Sequence, residues 1–182
     1  MKQSRGASLS VLILPAGPAD AEALAQVHVA SWRESYRGLL PDAYLARMSV
    51  ADFTRRFRRS LNLPGPNDVT LIAAAREGLL GYTQGGPSRS GRPGEAEIAT
   101  LYVLKRAQGL GLGKQLMIGA ARAMAAQGAR SLMISVLADN RRARGFYEHL
   151  GGAAGAPRVE RGPGGALLQE VAYLWPDIGK LF

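Results

Sequence analysis

The sequence LYVLKRAQGLGLGK, residues 101–114, joins an apolar segment to a glycine-rich loop, and it decides the fold. Leu101 to Leu104 end a run of apolar and β-branched residues that is typical of a buried strand. Gly111 and Gly113 lack side chains, so the backbone there can come close to a bound group. The first N–H groups of the helix that follows have no partners within that helix. Strand, loop and helix together predict a site for an anion such as a diphosphate.

The spacing of the glycines excludes two common nucleotide loops. A P-loop requires glycine at position 108 and Ser or Thr at position 115, where this chain has Gln108 and Gln115. The dinucleotide-binding fingerprint requires its last glycine at position 114, which is Lys114. The remaining pattern is Gln-x-x-Gly-x-Gly, directly after the strand.

Regular elements are predicted on the C-terminal side of this loop. A helix over 111–127 would end at Gly128, and a strand over 132–137 would lead to a short helix over 140–150. A last strand is predicted over 167–174, before Pro176. The alternation of strands and helices indicates an α/β fold.

On the N-terminal side, an apolar strand over 9–14 would end at Pro15, and Asp20 offers a cap for the next helix. Leu24, Val27 and Ser31 would share one side of that helix. The other predicted segments are a helix over 50–61, a loop over 62–67, strands over 69–75, 79–84 and 95–104, and a turn-rich stretch over 85–94 without regular structure.

The composition favours a single globular domain over residues 1–182. No stretch approaches the roughly 20 apolar residues that a membrane span needs. The first eight residues start with a basic residue but lack the apolar core of a signal peptide, so we expect a cytoplasmic protein without membrane association. The absence of cysteine excludes disulfides and a cysteine nucleophile.

The net charge of +9 could attract nucleic acid, an anionic membrane or a polyanionic cofactor, and charge alone does not distinguish them. The densest basic run, residues 55–59, is most simply a solvated helix face. No nucleic-acid reading motif accompanies it, so we expect no nucleic-acid partner.

The whole pattern resembles the GNAT acetyltransferase superfamily. The resemblance rests on the strand and Gln-led glycine loop, on Asn140 after the next strand, and on the aromatic pair Phe146-Tyr147. It covers about 79–152, the expected cofactor core, and the N-terminal stretch SWRESYRGLLP is similar to one subgroup of poorly defined substrate. It implies an α/β fold with a central mixed, mostly antiparallel sheet flanked by helices.

The resemblance also implies acetyl-CoA as acyl donor and no metal. The main chain of Leu101 to Val103 would pair with the pantetheine amides, and the loop amides would hold the diphosphate. The implied cofactor residues are Leu101, Tyr102, Val103, Gln108, Gly109, Leu110, Gly111, Leu112, Gly113, Lys114 and Asn140. Asn140 would contact the cofactor, cap the helix, or do both. Further positive charge near the groove would come from Lys105, Arg106, Arg141, Arg142 and Arg144.

Two side chains are candidates for catalysis in this comparison. A primary amine has a pKa near ~10, so a base must remove its proton before direct attack on the thioester. Glu97 stands where some GNAT enzymes carry that base, although it could equally be a hydrogen-bonded strand residue. Tyr147 matches the usual general acid for the departing thiolate, the alternative being a core aromatic. A backbone N–H, with Val103 as candidate, would stabilise the oxyanion.

The family's acceptor region falls on Trp32 and Tyr36, which could line an amine site or belong to the core. A peptide or protein N-terminus, a polyamine, an aminoglycoside and another small amine all stay open as acceptors. Glu34, Asp42 and Asp52 could supply acidic groups there.

The rival hypothesis is a non-catalytic acyl-CoA sensor or scaffold. Exposed strand edges leave a homodimer open, and His28 and His149 lack partners at the spacing of a metal site.

Overall fold

The computed structural model describes residues 10–182, so Leu9 and the residues before it lie outside the described part. Its centre is a single sheet of eight strands. The strands are β1 (Val11–Pro15), β2 (Val69–Ala75), β3 (Gly78–Pro87), β4 (Glu95–Val103), β5 (Ser131–Leu137), β6 (Ala153–Ala154), β7 (Arg158–Arg161) and β8 (Leu167–Trp175). The order is β1-β2-β3-β4-β5-β8-β6, and β7 also pairs with β8.

The strand directions confirm the mixed, mostly antiparallel sheet. Only β4 and β5 run parallel, and their pairing spans Glu95 to Ile98 against Ser131 to Ile134. Every other pairing in the sheet is antiparallel. The parallel pair is possible because a helix connects the two strands, as such a crossover requires.

Helices cover both faces of the sheet. They are α1 (Ala21–Ser35), α2 (Asp42–Arg47), α3 (Val50–Asn62), α4 (Leu112–Ala126) and α5 (Arg141–His149). Leu24 and Phe57, from α1 and α3, pack against Ile72 and Tyr82 on one face. Residues of α4 and α5 form the larger core on the opposite face. The sheet therefore has an α1/α3 face and an α4/α5 face.

Local hydrogen bonds explain where several helices begin. The Asp52 N–H donates to the Ser49 hydroxyl at the start of α3, 3.3 Å away. The Ala143 N–H donates to the Asn140 side chain at the start of α5, 3.2 Å away, which confirms the capping role of Asn140. Asp20 precedes α1 as predicted, but its carboxylate accepts from the Gly17 N–H instead of capping α1.

The prediction that residues 85–94 lack regular structure was wrong at its start, because β3 continues to Pro87. Gly85 permits this extension, since an added Cβ would clash with the Glu97 carbonyl oxygen and lie 2.6 Å from the Met124 side chain. The short elements α2, β6 and β7 were not predicted. The exposed arginines of α3 agree with the predicted solvated face.

The feature that positions the site is a gap between β4 and β5. The register of β3 against β4 shifts at Gln84 and Gly85, which leaves Ala99 as an extra residue in β4. Beyond Ile98, β5 no longer pairs with β4 and continues only beside β8. The two parallel strands therefore separate in the middle of the sheet. Within residues 10–182, no helix is long and apolar enough to cross a lipid bilayer.

Candidate functional site

A cleft of about 600 Å³ opens where β4 and β5 separate. One wall is the end of β4 with the glycine loop, and the other comes from the end of β5 and from α5. The lining residues include Leu101, Tyr102, Val103, Gln108, Gly109, Gly111, Leu112, Gly113, Lys114, Asn140, Phe146 and Tyr147. These include every predicted cofactor residue except Leu110, whose side chain is exposed.

The β4 wall of this cleft presents unpaired main-chain groups. The Leu104 N–H donates to the Leu80 carbonyl of β3 at 2.9 Å. Because N–H groups alternate in direction along an antiparallel strand, those of Leu101 and Val103 point away from β3 and into the cleft. The Val103 carbonyl accepts a 2.9 Å hydrogen bond from the Gln108 side chain. The strand edge thus offers two free donors, and Gln108 holds the loop against it.

The glycine loop has a backbone that favours glycine at two positions. Gly109 and Gly111 have φ of +82° and +76°, a region that residues with a Cβ rarely adopt. Gly111 precedes the first turn of α4, whose leading N–H groups face the loop without helical partners. A Cβ at Gly113 would lie 3.3 Å from the Phe146 ring, so this glycine permits close packing between α4 and α5. The first turn of α4 can therefore receive an anion.

Positive charge lies unevenly around the cleft. Lys114 and Arg142 line it. Arg144 is not among the lining residues, and it donates to the Tyr173 hydroxyl and the Ala138 carbonyl, both at 3.1 Å. The hydrogen bond to Tyr173 raises the pKa of the Arg144 guanidinium.

Tyr147 lies in this cleft with its ring buried. The ring contacts Phe146, Tyr173 and Trp175, with ring centroids 5.3–6.3 Å apart. Burial raises the pKa of Tyr147 well above that of a free phenol, and the nearby Tyr36 adds to the shift. The hydroxyl therefore keeps its proton at neutral pH and is available as a donor at the cleft.

Glu97 lies in a different cavity, about 550 Å³ in volume, which is lined mainly by β2, β3 and the end of α3. Its carboxylate is 5% exposed and is held by Arg89, whose side chain is 81% exposed. The Arg89 Nη2 lies 2.5 Å from Oε1 of Glu97. The cavity is also lined by Thr70, Gln84 and Ser60. Glu97 and Tyr147 thus line separate cavities, on the two sides of the separating strand β4.

The predicted acceptor residues form an aromatic cluster near the cleft. The rings of Trp32 and Tyr36 are 4.9 Å apart and edge-to-face. The Tyr36 hydroxyl lies 3.1 Å from that of Tyr102, a hydrogen bond that the sequence pattern did not predict. Burial raises the pKa of both phenols. Tyr36 therefore reaches β4 beside the cleft, while Trp32 lies behind it against Tyr44.

The predicted acidic groups do not gather at one pocket. Glu34 accepts a hydrogen bond from the Lys105 N–H at 3.0 Å, and Asp52 pairs with Arg55 on the exposed surface of α3. His28 is buried beside Tyr82, with its Nδ1 2.6 Å from the hydroxyl. In the described chain, no three His, Asp or Glu side chains are grouped to hold a metal ion.

Known proteins are similar to this chain in sequence and in fold. The sequence model of the Acetyltransferase (GNAT) family matches residues 27–152. The uncharacterized N-acetyltransferase YuaI of Bacillus subtilis (strain 168) is 29% identical over 166 residues, which cover 89% of this chain and 91% of that protein.

Solved structures show the same fold at lower identity. PaiA N-acetyltransferase from Thermoplasma acidophilum, solved in complex with coenzyme A, has a TM-score of 0.65 and 22% identity, covering 89% of this chain and 98% of that one. Arabidopsis thaliana NAA60, solved with a bisubstrate analogue, has a TM-score of 0.67 and 17% identity, covering 91% and 97%.

Proposed function

The chain belongs to the Acetyltransferase (GNAT) family and is an acetyl-CoA-dependent acyltransferase, and from this premise we propose direct transfer of the acetyl group to a primary amine. Acetyl-CoA is the acyl donor. In the proposed reaction the amine nitrogen bonds to the acetyl carbonyl carbon, the carbon–sulfur bond breaks, and coenzyme A leaves as a thiol.

One observation supports this proposal most strongly: the free N–H groups of β4 and the protonated phenol of Tyr147 line the same cleft. The N–H groups of Leu101 and Val103 can pair with an extended amide chain as a neighbouring strand would. Either can also stabilise the oxyanion that forms at the carbonyl, so Leu101 joins Val103 as a candidate donor. The phenol can then protonate the departing sulfur.

The loop and the first turn of α4 fit the diphosphate of the donor. Gly109 and Gly111 expose main chain in a conformation without side-chain obstruction. Lys114 and Arg142 add positive charge at the cleft wall, which favours a polyanion. Asn140 already caps α5, and its amide N–H₂ can still donate to the cofactor.

The proposed acceptor side is the α1/α3 face, where Tyr36 lines the approach with Trp32 packed behind it, and Glu97 is the proposed general base. Glu97 lies on β4 four residues before Leu101, about 13 Å along an extended strand. At that separation we propose that water carries the proton from the acceptor ammonium to the carboxylate. Glu97 lines a cavity of about 550 Å³, which has room for the waters of such a route.

The test is an acceptor screen with acetyl-CoA, following release of the coenzyme A thiol. The panel comprises a peptide with an N-terminal alanine, spermidine, kanamycin and benzylamine, so that each open acceptor class is represented. We expect amine-dependent thiol release with at least one member, and mass spectrometry should find one added acetyl group on its nitrogen. Release without an acetylated amine would contradict amine transfer.

A non-catalytic acyl-CoA sensor or scaffold is the second candidate. The observation in its favour is the full engagement of the Glu97 carboxylate by Arg89. A sensor would bind coenzyme A as tightly as the enzyme does and release no thiol with any amine in the panel. The two candidates therefore differ in turnover and agree in donor binding.

A further inference from the structure

The connection from β3 to β4 is held by its own hydrogen bonds. The Ser88 and Ser90 hydroxyls both donate to Oε1 of Glu95, at 2.8 and 2.6 Å. The Ser88 N–H donates to the Glu95 carbonyl at 2.8 Å, and the Ser90 N–H donates back to the Ser88 hydroxyl at 3.1 Å. These serine hydroxyls lower the pKa of the Glu95 carboxyl, so it stays ionised in this network. The loop has a defined shape although its composition is rich in turn residues.

This loop presents Arg89 to Glu97. The Arg89 Nε lies 3.1 Å from both carboxylate oxygens, and its main-chain N–H donates to Oε2 at 3.2 Å. With the Nη2 contact, Arg89 supplies every hydrogen bond that the Glu97 carboxylate receives from residues 10–182. The carboxylate in turn raises the pKa of the guanidinium. One arginine therefore fixes both the orientation and the charge environment of the proposed base.

We propose that Arg89 is the positioning residue of the general base, an inference that rests on the proposed function of Glu97. A general base must point at the proton that it accepts, so its carboxylate needs a fixed orientation. The guanidinium fixes it here because its planar fork and the Arg89 N–H together contact both carboxylate oxygens, and the guanidinium does not give up its proton. The proton from the acceptor amine therefore passes through water to Glu97, while Arg89 remains charged and aligned.

The contact geometry distinguishes this role from an ordinary surface ion pair. A surface pair joins two mobile, solvated side chains and contributes little. Here only Arg89 is exposed, while Glu97 is buried at the wall of a cavity. Arg92 offers the matched comparison, since it lies in the same loop and reaches Glu95 at only 3.7 Å.

The experiment compares Arg89→Ala, Arg92→Ala, Glu97→Gln and the double variant Arg89→Ala/Glu97→Gln, using the panel amine with the highest kcat/KM. We expect Arg89→Ala to lower kcat about 10- to 100-fold, less than the roughly 100- to 10,000-fold that general-base catalysis contributes, because the Glu97 carboxylate remains. The Kd for coenzyme A should change less than about twofold. Arg92→Ala should keep the wild-type rate. The kcat of the double variant should equal that of Glu97→Gln, because Arg89 acts through the Glu97 carboxylate.

Chemical rescue gives a second measurement that a merely structural role would not affect. Guanidinium ion at about 10 mM should raise the rate of Arg89→Ala several-fold and leave Glu97→Gln and the double variant unchanged. Arg89→Lys keeps the positive charge without the planar fork, so we expect a rate between those of the wild type and Arg89→Ala. This variant replaces Arg89→Ala in the test if the alanine variant folds poorly.

Three results would overturn the inference, and they separate it from the proposed function. If Arg89→Ala behaves like Arg92→Ala while Glu97→Gln is slow, Glu97 is still the base and only the role of Arg89 fails. If kcat of the double variant falls by the product of the two single-variant factors, Arg89 acts independently of Glu97. A wild-type rate for Glu97→Gln would remove the base itself, and the positioning role with it.

Discussion

The Tyr147 phenol is the proposed proton donor, since it lines the cleft and, like any phenol, is protonated at neutral pH. We expect Tyr147→Phe to lower kcat roughly 10- to 100-fold while the Kd for coenzyme A changes less than about threefold, because the ring remains and only the proton donor is lost. Steady-state kinetics and calorimetric titration would measure the two effects.

Tyr173→Phe is the control for this change, because the two rings are neighbours but the Tyr173 hydroxyl donates to Glu148 at 2.6 Å. Removal of the Tyr173 hydroxyl should leave kcat near the wild-type value. An equal loss of rate in both variants would point to disturbed packing instead of acid catalysis.

His28 predicts a dependence of stability on acid. Burial, with a smaller contribution from Arg56, lowers the pKa of His28 from 6.5 to about 4. Above pH 6.5 the ring is neutral in both folded and unfolded chains. Between pH 6.5 and 4 the unfolded chain takes up the proton first, so the free energy of unfolding falls by up to about 3 kcal/mol.

The measurement is urea unfolding from pH 7 to pH 4 for the wild type and for His28→Gln, which cannot titrate. We expect a shallower loss of stability in the variant across that interval. Parallel curves for the two proteins would exclude His28 as a cause of the pH dependence.

At the residue scale, the family resemblance singled out Glu97, Tyr147 and Asn140, of which Tyr147 and Asn140 line the cleft and Glu97 lines the other cavity. It did not indicate Arg89, whose contact with Glu97 depends on how a loop of Ser, Gly and Pro closes. The local signal for this contact is the pair of serines on either side of Arg89, followed by two glutamates on one face of a strand. The hydroxyl pair of Tyr36 and Tyr102 is a long-range contact without a local signal.

At the scale of elements, the loop before α4 depends on a glycine with a left-handed backbone. A side chain at Gly111, whose φ is +76°, should destabilise the protein by about 1–2 kcal/mol. Gly145→Ala in α5 is the matched change, since an added Cβ there meets nothing within 4 Å and φ is not positive. It should stabilise the protein by roughly 0.5–1 kcal/mol.

Urea unfolding of Gly111→Ala and Gly145→Ala would test whether the free energy of unfolding falls in the first variant and rises in the second. Binding of coenzyme A should weaken only in Gly111→Ala, because the altered loop no longer aligns its N–H groups. Equal affinity in both variants would contradict the assigned role of the loop.

The elements that the sequence predicted well are those with buried, periodic side chains. The bounds of β2 agree fully with the prediction, and those of β4, β5, α3 and α4 differ by one or two residues. The missed elements lack such a pattern: α2 has six residues, β6 has two, and β7 is exposed throughout. β7 forms by pairing with β8, which a local pattern cannot reveal.

At the scale of the whole molecule, donor binding should couple to folding. A ligand at about 100 times its Kd adds about 2.7 kcal/mol to the free energy of unfolding. For a chain of this length, that corresponds to a rise of roughly 5–11 °C in Tm. We therefore expect coenzyme A to raise Tm by this amount in a thermal scan.

A 20-base-pair DNA duplex at 150 mM salt is the control for the net charge of +9, and it should leave Tm unchanged. A rise in Tm with DNA and none with coenzyme A would indicate that the positive charge serves nucleic-acid binding instead of cofactor binding. The single domain over 1–182 and the homodimer stay predictions. Leu12 is exposed on the edge strand β1, where a second copy of the chain could pair, and size-exclusion chromatography would detect such a dimer.

The gap between β4 and β5 has a consequence for the substitutions that this strand should tolerate. The groups proposed to face the donor there are the peptide N–H groups of Leu101 and Val103, and every amino acid except proline carries such a group. Substitution along β4 can therefore retune packing and acceptor choice without erasing the donor contacts, provided that proline is avoided at Leu101 and Val103. A mutational scan of this strand should accordingly find donor affinity nearly indifferent to side-chain identity and intolerant of proline alone.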